Sequence, residues 1–115
     1  MVLVGGGTGA LARYAAGSAI MARFGGRFPL GTMAINVSGS FLIGLLMTIL
    51  TARHPNWRLL LVTGFLGGYT TFSTFEWESY QTIHEGGHFM GLLNLVGSVA
   101  LGYAAVWLGA ALARQ

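Results

Sequence analysis

Apolar residues fill four long blocks of this chain, each separated from the next by a short polar or glycine-rich stretch. The blocks run roughly over Val2–Ala22, Leu30–Ala52, Leu59–Ile83 and Phe89–Ala113. Each reaches the length of about 20 mostly apolar residues that a membrane-spanning helix requires. Arg23-Phe-Gly-Gly-Arg27-Phe-Pro29 ends the first block, and Pro29 suits the first turn of the second helix. Arg53-His-Pro-Asn-Trp-Arg58 and His84-Glu-Gly-Gly-His88 form the other separators. Trp57, Trp77, Tyr80 and Trp107 fall near the expected span ends, where amphipathic rings favour the interface. The pattern predicts an all-α integral membrane protein, with residues 1–115 forming a single four-helix transmembrane domain.

The third block is expected to break in mid-membrane. Within Gly64-Phe-Leu-Gly-Gly-Tyr-Thr-Thr-Phe-Ser-Thr-Phe-Glu76, the glycines free the backbone. Thr70, Thr71 and Thr74 are stiff at χ1, and their hydroxyls compete for helical hydrogen bonds. Unwound backbone at membrane depth is tolerated only where protein buries it or water reaches it. Polar side chains also recur at helical spacing in neighbouring blocks. Thr32, Asn36 and Ser40 stand four apart, with Ser38 between them, and Asn94 and Ser98 repeat the interval. Singly, each such residue reads as glue between helices. Together with the break they suggest a polar track with N–H and O–H donors and no fixed charge, which suits a small anion that must also leave. Phe72 and Phe75 flank Ser73 and Thr74; they read as packing, or as ring edges turned to an anion. Carbonyls freed by the break could hold a hard cation such as Na⁺.

Composition supports the membrane assignment. The chain is 54% hydrophobic and 8% charged, against about a quarter charged in soluble domains, and its mean hydropathy is +0.66. Its 19 glycines suit close helix packing. Without cysteine there are neither disulfides nor thiolate metal sites. Six basic residues, all arginine and scattered, form no patch for nucleic acid. Met1-Val-Leu-Val runs straight into glycines and the chain after it stays hydrophobic, so a signal peptide is not expected here. With four spans, Arg53, Arg58 and Arg114 share one side while Arg23 and Arg27 lie on the other. So even a balance permits insertion both ways and an antiparallel, dual-topology homodimer.

Several motifs suggest enzymes but lack the required context. Gly5-Gly-Gly7-Thr-Gly-Ala10 fits a loose dinucleotide fingerprint, but no acidic residue precedes Glu76 to hold a ribose. His84-Glu85-Gly86-Gly87-His88 spells HExxH, but paired glycines disfavour the helix a zinc site needs. A polar turn is expected there instead, and no enzyme activity. Glu76 and Glu78, two apart, do not share a helix face; each is expected to meet water or an arginine. Arg13 falls midway along the first block and is expected to reach outward or pair with a carboxylate.

Four stretches carry a resemblance to a known family. They are Gly6-Gly-Thr-Gly-Ala-Leu-Ala-Arg13-Tyr14, Pro29-Leu-Gly-Thr32-Met-Ala-Ile-Asn36-Val-Ser-Gly39-Ser-Phe41, Gly64-Phe-Leu-Gly67-Gly-Tyr-Thr70-Thr-Phe72-Ser-Thr-Phe75, and Asn94 to Ser98. In order across nearly the whole chain, they make it resemble the Fluc (CrcB) fluoride channels of bacteria. The resemblance implies a multi-pass protein of the bacterial plasma (inner) membrane, an antiparallel homodimer in lipid with two pores that export cytoplasmic fluoride passively. It implies Phe72, Phe75 and Asn36 on the fluoride path, with Thr32, Thr71, Ser73 and Ser98 in or beside the polar track. It implies a structural Na⁺ held between subunits by the backbone carbonyls of Gly67 and Thr70. Arg13 and Glu78 match family positions near the pore ends. The chain departs from the family's pattern in its short N-terminus before the glycines and at Asn94, where some relatives carry a hydroxyl or aromatic residue.

The alternative is a small dual-topology multidrug exporter coupled to protons. It shares the length, the spans and the charge balance. Such exporters need a carboxylate in the first span, where this chain has Arg13.

Overall fold

A computed structural model describes residues 1–50 and 52–115, and every regular element among them is helical. Helices α1 (Val2–Phe24), α2 (Leu30–Ile49) and α6 (His88–Ala113) are uninterrupted. Between α2 and α6 the third block is made of pieces. They are α3 (Pro55–Trp57), a π-helical segment (Arg58–Leu66), α4 (Gly67–Tyr69) and α5 (Phe72–His84). The molecule is elongated, 50 × 28 × 23 Å. By length and composition α2 and α6 are each sufficient to cross a membrane. The 23 residues of α1 would extend about 35 Å at 1.5 Å per residue.

Element ends depart from the sequence pattern in small ways with local causes. Pro29 is the cap residue before α2 rather than part of its first turn, so its missing N–H removes no helical bond. α2 stops at Ile49 and Leu50 is already extended, short of the expected Ala52; Thr51 lies outside the described residues. α5 ends at His84, and Gly86 takes φ +93°, a left-handed conformation open to glycine. Gly87 N–H then bonds the Thr82 carbonyl at 2.8 Å, and α6 starts at His88. The two histidines of the HExxH stretch therefore sit on different helices, across a turn.

Glycines set how closely the helices approach. α2 lies along α6, and α1 along the π-helical segment and α4. A Cβ on Gly44 would meet the Val106 carbonyl, and one on Gly109 the Phe41 carbonyl. A Cβ on Gly9 would meet the Phe65 carbonyl, and one on Gly68 the Gly6 carbonyl. Both seams thus bring backbone to backbone, the arrangement small residues permit in lipid. The glycine run of α1 is a packing face, not a nucleotide loop.

Large apolar side chains do not gather into a central core. Ile35, Leu66 and Phe75 are the buried ones, whereas Leu3, Tyr14, Phe89, Tyr103 and Trp107 are well exposed. An apolar exterior of this extent needs lipid or a protein partner to cover it. Trp57, Trp77 and Trp107 are exposed, and Tyr80 stacks between Trp77 and His84, each at 5.6 Å between ring centroids.

Candidate ion pathway

Within Gly64–Glu76 the first three residues end the π-helical segment, and helix is lost altogether at two residues. Thr70 (φ −83°, ψ 156°) and Thr71 (φ −149°, ψ 117°) are extended, and Phe72 begins a regular helix. Thr71 caps that helix through its side chain, whose Oγ1 accepts from Thr74 N–H at 3.4 Å. The same oxygen donates to Thr74 Oγ1 at 3.0 Å. The hydroxyls that competed with the helix therefore also start it. Ser73 and Thr74 lie inside regular helix and not in the break.

Asn36 holds the break from the side. Its Oδ1 accepts from Thr71 N–H at 2.8 Å, and its Nδ2 donates to the Thr71 carbonyl at 2.9 Å. One side chain thus pairs both backbone groups of a residue that has left the helix. This answers the requirement that backbone polar groups be satisfied in an apolar medium. Gly39, one turn along α2, allows the approach, because a Cβ there would strike the Thr70 methyl.

The carbonyls of Gly67 and Thr70 are among those the break leaves without their helical donors. In a continuous helix Gly67 C=O would receive Thr71 N–H, which goes to Asn36 instead. Thr70 C=O would receive Thr74 N–H, which goes to the Thr71 side chain. Gly67 is exposed, with open space where a Cβ would stand. Two carbonyls so released suit a hard cation, and a second copy would double the donor set. Arg13 Nη1 already lies 3.4 Å from the Thr70 carbonyl. Its partner is therefore a backbone oxygen and not the expected carboxylate.

A groove of about 560 Å³ runs beside the break. Of the expected residues it gathers Asn36, Gly67, Thr70, Thr71, Phe72, Phe75 and Ser98. No charged side chain lines it among the described residues. Phe72 and Phe75 stand with ring centroids 5.8 Å apart and planes tilted by 53°. Phe75 is buried, but Phe72 is 72% exposed in the single chain. Ser40 and Thr63 add hydroxyls to the lining. Ser40 was visible in the α2 stripe, whereas Thr63 had no periodic partner to mark it.

Other expected residues stand apart from the groove. Thr32 Oγ1 donates to Glu78 Oε1 at 2.9 Å, joining α2 to α5 outside the lining. Glu78 therefore meets a hydroxyl rather than an arginine, and its Oε2 is buried without a hydrogen-bond partner. Ser73 and Glu76 are exposed on α5. The expectation of freely offered O–H donors also changes. Thr70 Oγ1 donates to the Leu66 carbonyl at 2.9 Å, Thr71 Oγ1 to Thr74, and Ser98 Oγ to Asn94 Oδ1 at 3.1 Å. Hydroxyls in an apolar bundle take the nearest acceptor, because an unpaired one is costly. Asn36 is different: its Nδ2 carries two hydrogens, and the Thr71 carbonyl takes one.

Comparison with known proteins identifies relatives over nearly the whole chain. Residues 1–110 match the family described as CrcB-like protein, Camphor Resistance (CrcB). The fluoride-specific ion channel FluC of Solibacter usitatus (strain Ellin6076) is 64% identical over 118 residues, covering 100% of this chain and 97% of the relative. That of Acidobacterium capsulatum is 53% identical over 111 residues, covering 94% of this chain and 89% of the relative. The FluC of Coxiella burnetii (strain CbuK_Q154) is 41% identical over 119 residues, covering 100% and 96%.

Proposed function

The chain belongs to the CrcB family, and on that premise we propose that it is a fluoride-selective passive channel lowering cytoplasmic fluoride. The observation that carries this reading is the uncharged groove beside an Asn36-capped break. A small anion needs donors that are strong enough to replace water and weak enough to release it. The second Nδ2 hydrogen of Asn36 is one such donor, and the positive ring edges of Phe72 and Phe75 are others. A proton-coupled exporter of cations needs a carboxylate on its path, and none lines the groove among the described residues.

The direction of transport follows from charge. Fluoride that enters as neutral HF ionises at cytoplasmic pH. An inside-negative potential then drives the anion outward with about 2.3 kcal/mol per charge per 100 mV. No nucleotide site or coupled proton is required.

The assembly we propose is an antiparallel, dual-topology homodimer of four-span subunits in the bacterial inner membrane. Three features support it: the exposed Phe72, the open flank of Gly67 and the near balance of arginines on the two sides. A Na⁺ held by the Gly67 and Thr70 carbonyls of two copies would supply a fixed positive charge at their junction. Replacing sodium with a large organic cation during purification should then shift the protein towards monomer on size exclusion. An unchanged dimer in sodium-free buffer would remove the ion from the structural role.

Purified protein in liposomes should release fluoride to a fluoride electrode while largely excluding chloride. Absence of fluoride efflux, or equal chloride flux, refutes the channel. Phe72→Ile or Phe75→Ile should reduce flux several-fold, given that aromatic contacts contribute about 0.5–1.5 kcal/mol, and should leave the size-exclusion profile intact.

A further inference from the structure

One polar cluster lies behind the groove wall. Asn94 and Ser79 are each only 1% exposed, yet neither lines the groove. Ser79 Oγ donates to the Phe75 carbonyl at 2.8 Å, which commits its single proton. It can therefore only accept from Asn94, whose Nδ2 lies 2.8 Å away. That contact fixes which way round the Asn94 amide sits, with Oδ1 towards Ser98. Ser98 Oγ in turn donates to Asn94 Oδ1 at 3.1 Å. The bonds thus run in one direction, from Ser98 on the groove to the Phe75 backbone. Ser98 presents lone pairs, not its proton, to whatever occupies the groove.

We propose that Asn94, held in register by Ser79, is a positioning residue that turns the Ser98 hydroxyl away from the groove and so weakens fluoride binding there. The proposal rests on reading the groove as the fluoride path. Fluoride gains an O–H donor at Ser98 only when Ser98 leaves Asn94. The exchange of one hydrogen bond for another keeps this contact shallow, as a conducting path requires.

The first variant of the test alters no residue that lines the groove. Ser79→Ala removes the acceptor for Asn94 Nδ2. A buried N–H is the costlier group to leave orphaned, so the amide turns over and donates to Ser98, whose proton becomes available to fluoride. The fluoride concentration giving half-maximal flux in liposomes should fall by about fivefold, the value of one typical net hydrogen bond. In a Ser98→Ala background the same Ser79→Ala change should produce no shift. A double-mutant cycle separates this from packing, which would act with or without Ser98. No shift, a rise, or an equal shift in both backgrounds overturns the proposal. A parent protein that passes no fluoride overturns the channel reading itself. If Ser79→Ala does not assemble, Ser79→Cys keeps the volume and releases the amide likewise, because a thiol is a weak acceptor.

Discussion

Asn36→Leu should sharply reduce fluoride efflux, and it should do so even in the fraction of protein that still assembles. The substitution takes away the partners of both Thr71 N–H and Thr71 C=O. Each unpaired buried group costs about 1–3 kcal/mol, so the extended pair Thr70–Thr71 loses its main support. The chain has one obvious relief, which is to return Thr71 N–H to the Gly67 carbonyl and wind the break into helix. Helical continuation would rotate Phe72 and Phe75 away from the groove and cover a carbonyl expected to hold the cation. Flux should fall by about two orders of magnitude, since 1.4 kcal/mol is tenfold. Asn36→Asp separates support from conduction. It keeps the acceptor for Thr71 N–H but loses the Nδ2 donor and brings a carboxylate to the path. It should assemble better than Asn36→Leu and still exclude fluoride. Efflux at the parental rate from an assembled Asn36→Leu protein would show that the break does not depend on this side chain.

The predicted role of Asn36 also shows how far the sequence could be read. Its place on the α2 stripe followed from spacing alone, as did those of Thr32 and Ser40. Its partner did not, because Thr71 lies 35 residues away and the bond is to backbone. The glycines and threonines of Gly64–Glu76 marked a region but not the two residues that leave the helix. Thr71 does both things its chemistry allows, leaving one helix and capping the next, and composition alone does not separate them. The π-helical turns of Arg58–Leu66 left no trace in the hydrophobic pattern. Nine residues are too few for their wider winding to be told from 3.6 residues per turn. Asn94 and Ser98 were read together as a track, but spacing of four places them on one face without saying which of them reaches the groove. Ser79 was missed because a single serine in a helix carries no periodic signal. Arg13 was expected to reach outward or to pair with a carboxylate; the acceptor that folding brings to it is a carbonyl released by the break.

Gly9→Ala should lower the fraction of protein that assembles more than its one added methyl suggests. The new Cβ would strike the Phe65 carbonyl and come within 3.0 Å of Tyr69 N. Both are backbone atoms, so no rotamer change relieves the contact and α1 must move off the third block. Overpacking of this kind costs about 1–3 kcal/mol, and Gly9→Val should cost more. The displacement should reach the pathway, because Arg13 lies one turn beyond Gly9 on α1 and donates to the Thr70 carbonyl. Residual assembled protein should therefore conduct poorly as well. Gly7→Ala provides the comparison on the same helix: a Cβ there has nothing within 4 Å. Alanine has the higher helix propensity by about 1 kcal/mol, so Gly7→Ala should leave the subunit's own packing intact or improve it. The ratio of the two variants in size-exclusion yield and thermal unfolding in detergent isolates the contact from propensity. Gly9→Ala assembling and conducting like the parent would mean that α1 does not meet the Phe65 carbonyl, and the support for the break would then have to come from α2 alone.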